Sequence, residues 1–158
     1  MELANKYYKD YDDIALYQYI LDGNCSLETV KILLTKKDIV PIVDDVSIVA
    51  QRGETEIVEE LLKWKDSDGK CIDPSENGNF ILNMASRNDR VGVVKILLKD
   101  PRVNSGNKIP ALKIAFRKYQ EDVIQELLKD PKLQEYVDEK KRKLELKTIK
   151  FDKFFIIK

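Results

Sequence analysis

The sequence predicts an all-α chain, a solenoid of about four stacked helix hairpins closed by a C-terminal helix. Three observations carry that expectation. Stretches beginning at Val46, Leu82 and Leu112 align without a gap, and in each the first apolar residue lies fifteen positions before the first Leu of a Leu-Leu pair (Leu61-Leu62, Leu97-Leu98, Leu127-Leu128). Self-similarity of this kind marks a repeat architecture. Each copy also holds two short apolar segments at helical spacing around a polar elbow, the pattern of two amphipathic helices joined by a turn. Lastly, Asp-Pro recurs at Asp73-Pro74, Asp100-Pro101 and Asp130-Pro131. Proline cannot continue a helix and biases its predecessor toward extended geometry, so these dipeptides punctuate the units.

The units follow in order. Residues 1–37 read as a degenerate N-terminal capping repeat: Ile14, Tyr17 and Leu21 share a helical face, Gly23 closes that helix, and Ser26 caps a second one carrying Val30, Leu33 and Leu34. Residues 38–131 hold three regular units. The first turns at Gly53, where glycine takes the positive φ of a helix C-terminus without strain. Asp89 and Tyr119 stand at the same place in the next two, predicting a less ideal or differently closed turn. Ala50, Ala85, Ser86 and Ala115 supply the short side chains that let neighbouring helices approach, whereas Phe116 breaks that rule and asks for a nonstandard neighbour with room for a ring. The connector from about Trp64 to Gly78 is the longest and predicts an extended finger. Residues 132–158 read as a C-terminal capping helix and an apolar tail, with Leu133, Tyr136, Val137, Lys140 and Leu144 along one stripe.

Composition bounds the function. The chain has 158 residues, 43% hydrophobic, enough for one packed core. Its 28 basic and 28 acidic side chains cancel, so no bulk field draws it to nucleic acid or an anionic membrane. The charge is nevertheless polarised, −4 over residues 1–30 (two Lys against six acids) and +6 over residues 140–158 (eight bases against two acids). Two cysteines, Cys25 and Cys71, are too few for a disulfide framework, and the N-terminus has no charged start before an apolar core. A soluble protein of a reducing, intracellular compartment, cytoplasmic by default, is expected, and no run approaches the roughly 20 apolar residues of a membrane span.

Catalytic chemistry is not predicted, and no cofactor is implied. The chain contains no His, the commonest general base and the usual partner of a nucleophile. Two Cys without His make a poor zinc set, and Asp68-Gly69-Lys70 lacks the glycine spacing of a phosphate loop. Glu54, Glu56, Glu59 and Glu60 fall on a solvated helix face.

The Leu-x-x-Ala, Gly and Val-Val-x-x-Leu-Leu framework resembles the ankyrin repeat. The third unit, from Asp73-Pro74-Ser75 through Ala85-Ser86 to the run from Val93 to Asn104, resembles the roughly 30-residue variant common in large amoeba-infecting DNA viruses. The resemblance covers residues 38–131 well and the last 25 or so hardly at all. It implies a noncatalytic protein-binding module whose first helices line a concave groove beside the connector fingers. The Thr-Pro-Leu-His start of the family is missing; Asp44 and Asn79 stand ready to cap their helices instead, and the stack is expected to rely on apolar burial more than on bonds between repeats.

In that register the groove receives Ile48, Gln51 and Arg52 from one unit, Met84, Arg87 and Asn88 from the next, and Ile114, Arg117 and Lys118 from the last. Such a stripe suits a protein partner, an acidic segment with apolar anchors, because guanidinium groups pair with carboxylates while Met and Ile bury area. The alternative reading is a structural or assembly protein, viral in keeping with the resemblance. It would self-associate through residues 149–158, with Phe151, Phe154, Phe155, Ile156 and Ile157, or dock through the N-terminal Tyr7, Tyr8, Tyr11, Tyr17 and Tyr19.

Overall fold

A computed structural model describes residues 15–23, 25–37, 39–103 and 108–155, with side chains placed for 16–144 of these. Among the described residues every regular element is a helix. The elements are α1 (Ala15–Leu21), α2 (Leu27–Leu34), α3 (Val43–Arg52), α4 (Thr55–Lys63), α5 (Glu76–Arg87), α6 (Val91–Lys99), α7 (Ile109–Lys118), α8 (Glu121–Leu127) and α9 (Pro131–Phe155). Consecutive pairs form hairpins, and the hairpins stack in two layers. One layer is α1, α3, α5 and α7; the other is α2, α4, α6 and α8. This is the all-α hairpin solenoid that the repeat predicts.

Burial follows the aligned positions. Val46, Leu82 and Leu112 are fully buried in the first layer, and Leu61, Leu97 and Leu127 in the second. Each such side chain contributes about 1.5–3 kcal/mol through burial. Ala50, Ala85, Ser86 and Ala115 are fully buried between the layers, where a longer side chain would push the helices apart.

The first unit turns a different face inward from the one its spacing suggests. Leu16, Tyr19 and Ile20 are buried, while Tyr17 and Leu21 are exposed. Tyr19 takes the inner position because its hydroxyl accepts a hydrogen bond from Ser26 N–H at 2.8 Å, which ties α1 to the start of α2. Ser26 caps α2 as predicted, its Oγ accepting from Thr29 N–H at 3.1 Å.

All four elbows close alike. Gly23, Gly53, Asp89 and Tyr119 have positive φ of 82°, 85°, 59° and 56°. In the last three units the next N–H donates to the carbonyl five residues back: Glu54 to Val49, Arg90 to Ala85 and Gln120 to Ala115, at 2.9–3.1 Å. That is one left-handed helix C-terminus used three times. Of the two alternatives predicted for Asp89 and Tyr119, the turn is the less ideal one and is not differently closed: its geometry is kept, and the non-glycine residues bear its strain.

Two capping expectations also change. At α3 it is Asp45, not Asp44, that reaches back, its Oδ2 accepting from Ile42 N–H at 2.8 Å. At α5 the residues Asn77, Gly78 and Asn79 all have left-handed backbone, so Asn79 is a buried turn residue ahead of the regular helix from Phe80 rather than its cap. Asn and Gly suit such a turn because they occupy the left-handed region at least strain.

The Asp-Pro dipeptides do more than stop helices. Each Asp Oδ1 accepts the N–H two residues on: Asp73 from Ser75, Asp100 from Arg102 and Asp130 from Lys132, at 2.9–3.0 Å. The intervening proline has no N–H to satisfy, so one carboxylate completes the turn.

Candidate functional site

The layer of first helices presents Ile48, Met84 and Ile114, each half-buried, at equivalent places on α3, α5 and α7. Arg87, Arg117 and Lys118 are exposed beside them. Arg87, Ile114, Arg117 and Lys118 together wall one depression of about 310 Å³ between α5 and α7. Four of the nine residues predicted for the groove are thus brought together. Ile48 and Met84 lie farther along the row, outside this depression.

Arg52 is engaged elsewhere. Its guanidinium donates to the Ile20 and Leu21 carbonyls of the preceding unit, the latter at 3.2 Å, and stands 3.9 Å from Glu54. Arg90 Nε donates to the Gln51 carbonyl at 2.8 Å, and Gln120 Nε2 to the Arg87 carbonyl at 2.9 Å. Leu21, Gln51 and Arg87 all lie two residues before a left-handed elbow, where the last helical carbonyls have no donor in their own helix. A long side chain from the next elbow supplies one each time. Apolar burial is thus supplemented by polar bonds that stitch every pair of adjacent units. Composition hid them because Arg and Gln here do what the missing Thr and His do in the resembled pattern.

Among the described residues, none of the ion pairs involves Arg87, Lys113, Arg117 or Lys118. The first-helix layer thus carries uncompensated positive charge toward its C-terminal end.

A second hollow, of about 540 Å³, lies where α9 passes α7. Leu133 fixes the start of α9 in the core at 1% exposure, Tyr136 and Val137 are half-buried, and Leu144 is 64% exposed. The predicted capping stripe therefore caps over its first two turns and then stands open. Phe116, 44% exposed, faces this hollow, which accounts for a ring where the other units have small residues. The sequence marked Phe116 as unusual and α9 as a cap, without naming α9 as the neighbour with room for the ring.

The long finger between α4 and α5 is clamped from the following connector. Arg102 Nη1 donates to the Ile72 carbonyl at 2.7 Å and lies 3.3 Å from Cys71 Sγ, while its Nη2 and Nε donate to Asp100 Oδ2 and Oδ1 at 2.6 and 2.9 Å. The guanidinium bond holds the Asp100 carboxyl below its ordinary range.

Cys25, Arg52 and Glu54 cluster at the first elbow, but as support. Burial and the neighbouring Glu54 push the Cys25 thiol up to about 11, so it stays protonated and donates weakly to the Tyr19 and Ile20 carbonyls, at 3.7 Å. A protonated thiol is not a nucleophile.

Tyr7, Tyr8, Tyr11, Ile156 and Ile157 lie outside the described residues, as do the side chains of Phe151, Phe154 and Phe155. No helix among the described residues is long and apolar enough to cross a membrane.

The family model described as Ankyrin repeats (3 copies) matches residues 46–138. No curated protein and no solved structure matches the chain. The match spans more than half of the chain and the three regular hairpins of a two-layer stack. The chain therefore belongs to the ankyrin-repeat family, whose repeats are in general noncatalytic modules for binding other proteins.

Proposed function

We propose that this protein is a noncatalytic interaction module that holds a partner protein along the concave side of its first-helix layer. The observation that carries the reading is the depression walled by Arg87, Ile114, Arg117 and Lys118, where exposed cations without a carboxylate partner among the described residues surround a half-buried aliphatic side chain. Guanidinium groups favour planar carboxylates, and a desolvated apolar contact supplies the affinity that exposed charge alone does not. Met84 and Ile48 extend the apolar row toward the N-terminal units, and Arg52 braces that row by holding α1. The resemblance of the third unit to the repeats of amoeba-infecting viruses supports a viral source and a host-cell or virion protein as the partner.

The test is affinity capture from the native host with the wild-type chain and with Arg87→Glu/Arg117→Glu. The expected result is a protein held by the wild type and lost by the double mutant at unchanged Tm. A well-folded double mutant that retains the captured protein overturns the assignment of the groove.

A further inference from the structure

The hollow between α7 and α9 is a feature of this chain's own C-terminal end and adjoins the groove between α5 and α7, with which it shares Arg117. Its floor is apolar: Phe116 from α7, with Tyr136, Val137 and Leu144 from α9. The α9 residues recur at helical spacing, so one face of the helix is given to the floor. Its walls are cationic on both sides, Lys113 and Arg117 one turn apart on α7 and Lys140 and Lys141 on α9. The Lys113 and Lys140 ammonium groups stand 6.0 and 5.5 Å from the centre of the Tyr136 ring. Attraction to the ring holds both cations beside it. None of the four forms an ion pair among the described residues, although α9 pairs Lys143 with Glu139 immediately alongside.

We infer that this hollow is a docking site for an acidic protein segment carrying one aromatic anchor flanked on both sides by carboxylates. The volume suits one large ring and its neighbours, since ligand sites occupy roughly 300–1,000 Å³. Opposed cationic walls select negative charge on either side of the anchor, and the aliphatic and aromatic floor desolvates the anchor itself. A nucleic-acid strand fits less well. It requires a positive track along its backbone, whereas Glu121 and Asp122 open α8, and Glu135, Asp138 and Glu139 precede Lys140 on α9. The inference rests on the chain being a protein-binding module, and it adds a second contact beyond the α5–α7 depression.

Fluorescence anisotropy with the full chain tests it, using a labelled peptide with one tryptophan between two glutamate triplets. Comparison probes are the same peptide with alanine for tryptophan, its lysine counterpart, and an oligouridylate. The expected result is saturable binding of the first peptide only, weakened at least about tenfold by Lys140→Glu/Lys141→Glu and by Phe116→Ala, and changed by less than about twofold by Arg87→Glu. The two α9 lysines are exposed, so their exchange leaves the fold intact and circular dichroism checks it. No binding of the peptide, equal binding of its alanine form, or preferential binding of the oligouridylate overturns the inference. If Arg87→Glu abolishes peptide binding while Lys140→Glu/Lys141→Glu does not, the site is the α5–α7 groove: the proposed function survives and the hollow does not.

Discussion

Tyr119 holds a left-handed backbone at φ 56° with its side chain 89% exposed, so nothing in the packing compensates the strain. A left-handed residue bearing a Cβ costs roughly 1–2 kcal/mol relative to glycine. Tyr119→Gly is expected to raise stability by about 1 kcal/mol in urea unfolding, and an unchanged midpoint would refute strain at that elbow. Gly53→Ala should do the opposite and by more, because the added Cβ would also lie 2.9 Å from Arg90 Cδ. Asp45 is a second residue under tension. Burial pushes its carboxyl up to about 6, opposed by the bond from Ile42 N–H and reinforced by Asp44, and its Oδ1 is buried without a hydrogen bond. The folded state therefore binds this proton more tightly than the unfolded chain does. Its contribution is fully present below the ordinary aspartate range and lost as pH rises toward 6. Asp45→Asn keeps an acceptor for Ile42 and removes the charge, so its Tm should exceed wild type at pH 7 and converge with it near pH 4. A constant difference across that range would exclude the buried charge as the cause.

At the scale of elements, the joints between units are directly testable. Removing one neutral side-chain hydrogen bond costs about 0.5–1.5 kcal/mol, so Gln120→Met, which preserves the stem, should lower stability by about 1 kcal/mol with the urea m-value unchanged. Arg102→Met removes a larger set, the bonds to Ile72 and Asp100 together. Amide exchange is expected to accelerate around Lys70–Ile72 while α5 and α6 stay protected; uniform acceleration would mean that the finger is not an independent element. Helix existence and order were legible in the sequence because the apolar period repeats at a fixed offset. The joints were not, because Arg52 stands just before its elbow whereas Arg90 and Gln120 stand just after theirs, and only three-dimensional stacking aims them at equivalent carbonyls. The inward face of α1 misled for a related reason: Tyr17 and Tyr19 are chemically equal, and the Ser26 N–H that selects Tyr19 lies on the other side of the turn. For the groove, the register placed Arg87, Ile114, Arg117 and Lys118 together, but it could not foresee that Arg52 would bind backbone.

For the whole molecule, a stack in which each unit touches only its neighbours divides its stability into local terms. Leu97→Ala, in the middle of the second layer, should lower global stability by about 2–5 kcal/mol. Leu133→Ala should act at the end alone, speeding exchange in α8 and α9 while α3 to α6 keep their protection. Global loss from the end substitution would contradict the nearest-neighbour picture. Positive charge is likewise concentrated in the last first-layer helix and α9, so the overall neutrality of the chain conceals a cationic C-terminal end.

The hydrogen bonds that Arg52, Arg90 and Gln120 make between units all run one way, from an elbow back to the first helix of the preceding unit. During synthesis, each emerging hairpin finds its acceptor carbonyl already displayed on the segment that left the ribosome earlier, so each joint closes once its donor is made. The stack is therefore built to zip from the N-terminus as it is translated.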